Sequence, residues 1–493
     1  MKAIRIHEND TVAVAVEALA AGDTVLAGGR CVTLANAVPA GHKFALTDMS
    51  ADTTVIKYGC AIGHAVTDIR AGEHVHTHNM RSDLGGLLEY TYTPRFEDVS
   101  LKAPCLFDGY KRADGTVGIR NEVWILPTVG CVNAVVREIE AAAQTCKTDH
   151  IDGIFAFNHP YGCSQLGADQ DMTLRYLAGL IRHPNAAAVL VVGLGCENGS
   201  IAALKKVLGA YDERRVKFLI CQESADETAD GMAIVRELCD YADTFRREPC
   251  PVSALTVGLK CGGSDGFSGI TANPLLGSFT DRLVGMGGGA LLTEVPEMFG
   301  AETILMGRCR TREVFDKTVS LINDFKRYFL RYGEKVDENP SPGNRAGGIT
   351  TLEDKSLGCI QKGGRVPVED VLAYGETVKC RGLSLLCAPG NDLVASNALA
   401  ASGAQLVLFT TGRGTPFGCP VPTVKISSNT ALAMHKKNWI DFDAGVLLDG
   451  VPMRALSEQF FAFVLDIASG RSMAKSEVLD RHELAIFKDG VTL

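Results

Sequence analysis

The chain has 493 residues, 46% of them hydrophobic and 22% charged, with 52 glycines, which excludes disorder and a single core and implies two to four globular domains. A formal net charge of −9 and a pI near 5.7 exclude a nucleic-acid surface, which needs clustered Lys and Arg, and leave a small molecule as the expected partner. Charges where an export signal needs an apolar core, and no apolar run long enough for a bilayer, predict a cytoplasmic protein whose 16 cysteines are reduced thiols.

Residues 2–78 run as short alternating segments broken by turns at Gly22, Gly28, Gly29, Gly41 and Gly72, the spacing of a small all-β module over residues 1–80. Residues 81–108 are polar and contain proline, and read as a linker to the next domain. From residue 109 the texture changes to strand, glycine turn and helix, repeated. Apolar runs at 123–126, 153–157 and 187–192 each lead into a glycine-containing loop, and 216–220 gives a further strand. A second block starts near Leu255 and repeats the pattern at 290–293, 384–387 and 406–410. The fold class is therefore α/β: a small all-β domain, then two α/β domains with mainly parallel sheets over 109–250 and 251–493.

Ligands of an open parallel sheet bind beyond the carboxyl ends of its strands, so the polar glycine loops there are the first candidates. They carry His159 and Cys163, Cys196 and Glu197, Cys261, Ser264 and Asp265, Glu294 and Glu297, and Arg413 and Thr415. A tight turn capped by a polar residue is the plain alternative for each. Gly193, Gly195 and Gly199 have the wrong spacing for a dinucleotide fingerprint, and no glycine loop ends in Lys-Ser or Lys-Thr, which excludes nucleotide binding as the primary role. Arg413, between two glycines, offers instead a planar fork for a carboxylate.

His74, His76 and His78 alternate, so on an extended strand their imidazoles share one face, and His42 joins them if its loop folds back. Neutral imidazoles there suit a transition metal completed by a carboxylate from a facing domain, and exposed histidines on an edge strand are the alternative. Cys131, Cys163, Cys196 and Cys261 all stand beside glycines at strand ends, where thiolates could hold an iron-sulfur cluster, although no compact ligand spacing is present.

With these segments in view the sequence resembles the altronate and galactarate dehydratase family along its whole length. The resemblance is carried by GHKFAL at 41–46, KYG at 57–59, RADGTVG at 112–118, NHPYGC at 158–163, GLGCE at 193–197, CGGSD at 261–265, TANP at 271–274, NPSPGN at 339–344 and TGRGTP at 411–416. It implies an N-terminal SAF, or β-clip, domain and the family's chemistry: dehydration of a sugar acid with iron(II) or manganese(II). The segment GEHVHTHN at 72–79 and the C-terminal residues 483–493 are similar to the altronate branch, which implies conversion of D-altronate to 2-dehydro-3-deoxy-D-gluconate in hexuronate catabolism. His42, His159, Glu197, Asp265, Glu294, Lys355, Arg413 and Lys425 match positions of both branches, so chemistry shared by both rests on them rather than on the histidine series.

Removing a proton beside a carboxylate and expelling hydroxide both need electrostatic help. Lys355 and His159 are the expected bases and Glu294 and His42 the expected acids. Arg413, Ser264, Asp265, Asn344, Thr415 and Lys425 are expected to bind substrate, and His74, His76 and Glu197 to bind the metal. A non-catalytic sugar-acid sensor and a lyase expelling sulfite are the rival readings, and assembly as a homo-oligomer is compatible with all three.

Overall fold

A computed structural model describes residues 2–492. The N-terminal domain contains nine short strands: β1 (Ala3–Ile4), β2 (Val12–Ala15), β3 (Thr24–Ala27), β4 (Arg30–Thr33), β5 (Lys43–Ala45), β6 (Thr54–Lys57), β7 (Cys60–Ala65), β8 (His74–Val75) and β9 (Met80–Arg81). They form an antiparallel sheet β1-β2-β5-β8, a second sheet β6-β7-β9 and the hairpin β3-β4. The all-β expectation holds, because alternating residues such as Val25 and Ala27 bury one face while Thr24 and Leu26 face solvent.

Residues 84–105 lack regular structure and run along the C-terminal domain: the Tyr90 hydroxyl donates to Glu302 and the Lys102 amide to Gly285 O. Strand β10 (Leu106–Lys111) then pairs with β11 (Val117–Gly118), opening the middle domain. That domain has one parallel sheet in the order β13-β12-β14-β15, from β12 (Glu122–Pro127), β13 (Gly153–Ala156), β14 (Ala186–Gly193) and β15 (Val216–Ile220). Helices α1 (Asn133–Ala143), α2 (Ala168–Arg182), α3 (Ile201–Leu208) and α4 (Glu227–Ala242) cover it. All eight residues of β14 are buried, as a central strand covered on both faces requires. Strand β16 (Glu248–Pro251) returns to pair with β10.

The C-terminal domain is built on a seven-stranded parallel sheet, β19-β20-β18-β17-β21-β22-β23. Its strands are β17 (Thr256–Cys261), β18 (Gly289–Leu292), β19 (Val368–Leu372), β20 (Gly382–Leu386), β21 (Leu406–Thr411), β22 (Thr423–Ser427) and β23 (Phe442–Asp443). The helices are α5 (Ala272–Gly285), α6 (Glu302–Gly307), α7 (Arg312–Arg331), α8 (Pro342–Ala346), α9 (Leu352–Cys359), α10 (Asp392–Ala401), α11 (Thr430–His435) and α12 (Met453–Ala468). The chain leaves β17 toward β18 on one side and reaches β21 on the other, so the crevice at the end of β17 is the topological switch point. No helix among the described residues is long and apolar enough to cross a membrane.

Helix α2 of the middle domain packs on α10 of the C-terminal domain. Tyr176 donates to Asn397 Oδ1 at 2.7 Å, and a Cβ on Gly179 would lie 2.2 Å from Ala401 O. The contacts advance together along both helices, so the helices run parallel. Each returns from the carboxyl end of a parallel strand, which means that the two sheets present their carboxyl edges to the same side of the molecule.

Candidate active site

The C-terminal ends of β17 and β18 hold a buried polar cluster. Lys260 pairs with Glu294 and, at 2.9 Å, with Asp392; Lys362 pairs with Glu294 at 2.7 Å. Glu294 also accepts from the Cys261 amide at 3.0 Å and adopts a left-handed conformation, with φ of +71°. A non-glycine residue in that region is strained and persists only where its surroundings fix it, as they do here. Glu294, expected as an acid, is thus a fully engaged carboxylate. The three positive charges of Lys260, Lys355 and Lys362 are matched by Glu294, Glu297 and Asp392.

Lys355, on α9, donates to Glu297 at 2.7 Å, to Asn339 Oδ1 at 3.1 Å and to Asn344 Oδ1 at 3.3 Å. Burial would lower its pKa, but Glu297 outweighs burial and holds the ammonium above its usual value. A lysine kept protonated is a proton donor and an electrostatic clamp. Asn344, on α8, donates to Ser264 O at 2.8 Å, and the buried Ser264 hydroxyl has no hydrogen-bond partner. Arg413 is exposed on the loop after β21, with only a long 3.5 Å contact to Gly343 O, so its fork remains free for a carboxylate. Lys355, Asn344, Ser264 and Arg413 therefore converge on α8.

The N-terminal domain closes against the same helix. His42 approaches Ala346 O through Nε2 at 3.2 Å, so Nε2 donates and Nδ1 accepts from His74 Nε2 at 3.0 Å. His76 Nδ1 lies 2.9 Å from the Thr350 hydroxyl, and the rings of His74 and His76 are 5.6 Å apart. Only His74 lies on a strand: the chain turns at His76, whose carbonyl accepts from the Asn79 amide, and His78 stays exposed. Burial lowers His74 to about 4, with His42 adding to the shift; burial and then Lys43 lower His76 to about 3. Both imidazoles are neutral at physiological pH, as metal ligands must be. Anchoring one ring nitrogen of His74 on His42 leaves its other nitrogen for a metal, while His76 meets both Thr350 and the Arg345 backbone. Two neutral imidazoles of this kind suit a divalent ion whose remaining ligands come from elsewhere.

Beneath the histidines, Lys43 and Lys57 donate to Asp354 at 2.8 and 2.9 Å, all three fully buried, and Lys43 also donates to Thr350 Oγ1 at 2.7 Å and to Gly348 O at 2.9 Å. The close approach of Gly41 to Gly266, where a Cβ would come within 1.9 Å of Gly41 O, explains the glycines on both sides of the seam.

Five further expected site residues are engaged by neighbouring backbone or side chains, and of these Asp265 lines the same cavity as Ser264 and Lys355. His159 donates through Nε2 to Pro127 O at 2.8 Å and accepts at Nδ1 from the Tyr161 amide at 3.2 Å, and burial lowers it to about 4. With both nitrogens used, it shapes a middle-domain loop. Glu197, expected as a metal ligand, accepts from Thr128 at 2.6 Å and from the amides of Leu194 and Gly195, partners that lie in the middle domain and not among the histidines. Asp265 is saturated by Ser268, Ser428 and Asn429, which tie the loops after β17 and β22 together. Lys425 donates to Phe417 O and is lowered to about 8 by burial, so it braces the 413–417 loop from below. Thr415 accepts from the Phe417 amide at 3.3 Å within that loop. Each is a polar residue in a glycine loop that caps backbone, the alternative that sequence could not separate from ligand contact.

The four-cysteine expectation also divides. Cys261 is buried in the C-terminal domain with its sulfur 3.2 Å from that of Cys359, and both sulfurs lie near Glu297, at 3.5 and 3.1 Å. Cys131, Cys163 and Cys196 are exposed at the rim of the middle domain. Lys260, Cys359 and Lys362 were not foreseen. The available signal was a lysine ending the apolar strand β17, and a second one after α9, both too apolar in context to be surface residues.

An N-terminal β domain that inserts neutral imidazoles and two buried lysines into the switch-point crevice of a parallel sheet defines an enzyme whose active site is assembled between domains. The chain belongs to the altronate/galactarate dehydratase family. Residues 1–83 match the altronate/galactarate dehydratase SAF domain, 109–243 the second domain of D-galactarate dehydratase/altronate hydrolase, and 252–492 the D-galactarate/altronate dehydratase C-terminal domain. The chain is 53% identical to altronate dehydratase of Escherichia coli (strain K12) over 496 residues, covering 100% of both. It is 32% identical to galactarate dehydratase (L-threo-forming) of the same organism, covering 98% of this chain and 96% of that one. It is 34% identical to the (2R)-sulfolactate sulfo-lyase subunit beta of Chromohalobacter salexigens, covering 77% of this chain and 96% of that one.

Proposed function

We propose that this chain is a cytoplasmic hydro-lyase that removes water from D-altronate to give 2-dehydro-3-deoxy-D-gluconate, as part of hexuronate breakdown. The observation that carries the reading is the convergence on α8 of a free guanidinium, Arg413, a protonated buried amine, Lys355, and the neutral imidazoles of the N-terminal domain. Full-length identity of 53% to an altronate dehydratase supports the choice of altronate.

In this reading Arg413 binds the substrate carboxylate bidentately, and Ser264, whose hydroxyl is buried and unpaired, takes a substrate hydroxyl. His42, whose Nε2 donates to Ala346 O, takes the C2 proton at Nδ1 when substrate displaces the His74 contact that occupies this atom. Lys355 donates a proton to the departing C3 hydroxyl, its ammonium held in place by Glu297, Asn339 and Asn344. Closure by the N-terminal domain excludes water and strengthens each of these interactions. Iron(II) or manganese(II), held by His74 and His76, would supply Lewis-acid stabilisation of the negative charge that develops on the substrate.

The test is product analysis with purified protein, metal and D-altronate. Formation of the 2-dehydro-3-deoxy acid, lost on chelation and restored by iron(II) or manganese(II), is expected. Release of sulfite from sulfolactate without turnover of any hexonate would replace the reading with a sulfo-lyase, and binding of sugar acids without turnover would replace it with a sensor.

A further inference from the structure

The rim of the middle-domain sheet has a feature that the site around α8 does not use. Cys131, Cys163 and Cys196 are exposed free thiols on the loops that follow β12, β13 and β14, three adjacent strands. Each is preceded by a glycine. The loops are stitched together directly: the Gly130 amide donates to Tyr161 O at 2.9 Å, the Gly199 amide to Gly162 O at 2.9 Å, and the Ser164 amide to Asn198 Oδ1 at 3.0 Å. A Cβ on Gly162 would lie 2.0 Å from Thr128 O, and one on Gly130 3.0 Å from His159 O, so the loops reach this proximity only through glycine.

His159 and Glu197, buried below, spend all their hydrogen-bonding capacity on holding these loops in place. Ser164, next to Cys163, is held at φ of +57°, a further sign that the rim is fixed rather than slack. The N-terminal ends of α1, α2 and α3 follow the three loops on this face and favour negative charge there. The side chains that this rigid framework displays are thiols, which an unligated surface avoids because they oxidise.

We propose that Cys131, Cys163 and Cys196 ligate a [4Fe–4S] cluster. A single tetrahedral ion needs its sulfurs roughly 3.8 Å apart, given metal–sulfur bonds of about 2.3 Å. The three thiols do not form a set lying within 4.8 Å of one another, whereas Cys261, Glu297 and Cys359 do. Loops on three neighbouring strands, each strand about 4.8 Å from the next, suit the wider span of a cubane, and soft thiolates select iron and sulfide. Three cysteines for four irons leave one iron without a protein ligand. That iron is open to an exogenous ligand, and the ligand class it takes is the hydroxyl oxygen of a hydroxy acid. This last step rests on the proposed hydro-lyase function; the cluster itself does not.

Full-length protein purified and reconstituted without oxygen, with ferrous iron and sulfide, is assayed for iron, acid-labile sulfide and visible absorption. About four sulfides per chain are expected, and about four irons beyond the one that His74 and His76 would hold. Cys131→Ala, Cys163→Ala and Cys196→Ala, all at exposed positions, should each reduce the labile sulfide by more than half with unchanged circular dichroism, while Cys31→Ala, exposed in the N-terminal domain, keeps it. Wild-type protein without labile sulfide, or a triple variant that retains it, overturns the cluster. Adding D-altronate to the reduced cluster should shift its electron paramagnetic resonance signal; an unshifted signal in protein that turns over D-altronate overturns the open iron. A cluster-loaded protein that turns over no sugar acid would instead count against the hydro-lyase reading and leave the cluster standing.

Discussion

Asp354→Asn removes one charge from a buried trio and keeps its shape. The carboxylate accepts from Lys43 at 2.8 Å and from Lys57 at 2.9 Å, and all three side chains are fully buried across the seam between the N-terminal and C-terminal domains. The variant leaves two ammonium groups in the interior with no counter-charge. Removing one partner of a buried pair costs about 3–5 kcal/mol. Lys43 can relieve part of this by shedding its proton, since burial already lowers it to about 8 despite Asp354. The expected loss is therefore about 3 kcal/mol at neutral pH, roughly a hundredfold in the folding equilibrium. Urea denaturation and limited proteolysis of residues 1–83 read it out, and the deficit should shrink as pH rises toward 8, because Lys43 without Asp354 gives up its proton below the parent's value of about 8. In the unaltered protein the two lysines hold the Asp354 carboxyl below its usual value. Its contribution is thus complete above the unfolded pKa of about 3.9 and is lost as pH falls through the lower folded value. A loss below about 1 kcal/mol, the size of an ordinary surface substitution, would refute the claim that this trio clamps the domains together.

Lys355→Met should lower kcat by at least about a hundredfold in protein that is still folded at the assay temperature, because the amine donates the proton that the leaving hydroxide needs, while loss of the partner of buried Glu297 also lowers the denaturation midpoint. An unchanged kcat would return Lys355 to a structural ion pair with Glu297. Arg413→Lys keeps the charge but loses the fork, so KM should rise several-fold with kcat largely retained, and an unaltered KM would remove Arg413 from the site. His74→Ala and His76→Ala should each weaken iron(II) or manganese(II) binding about 10–100-fold in equilibrium dialysis. Parental affinity in both variants would place the metal elsewhere.

Periodicity made the domain classes legible. The alternation in residues 24–27 and the wholly apolar run at 186–193 each carry the burial pattern of the element they form. The histidines were legible in part: their spacing suggested one shared face, and His42, His74 and His76 do meet, though through a turn after Val75 and not along a strand. Lys43 and Lys57 could not be connected to Asp354, because their partners lie about three hundred residues apart and only the tertiary fold joins them. His159, Glu197, Asp265 and Lys425 looked like ligand contacts because a polar residue in a glycine loop reads alike whether it caps backbone or meets a substrate. Cys359 and Lys362 gave little signal, since their pairing with Cys261 is set by how α9 lies over the end of β17.

The central claim is tested most directly by comparing kcat/KM for D-altronate, galactarate and D-mannonate, in metal-supplemented protein under reducing conditions, with the product identified by mass. The account predicts that D-altronate is preferred and loses one water to give 2-dehydro-3-deoxy-D-gluconate. A higher kcat/KM for galactarate, or no dehydrated product from any of the three, would contradict it.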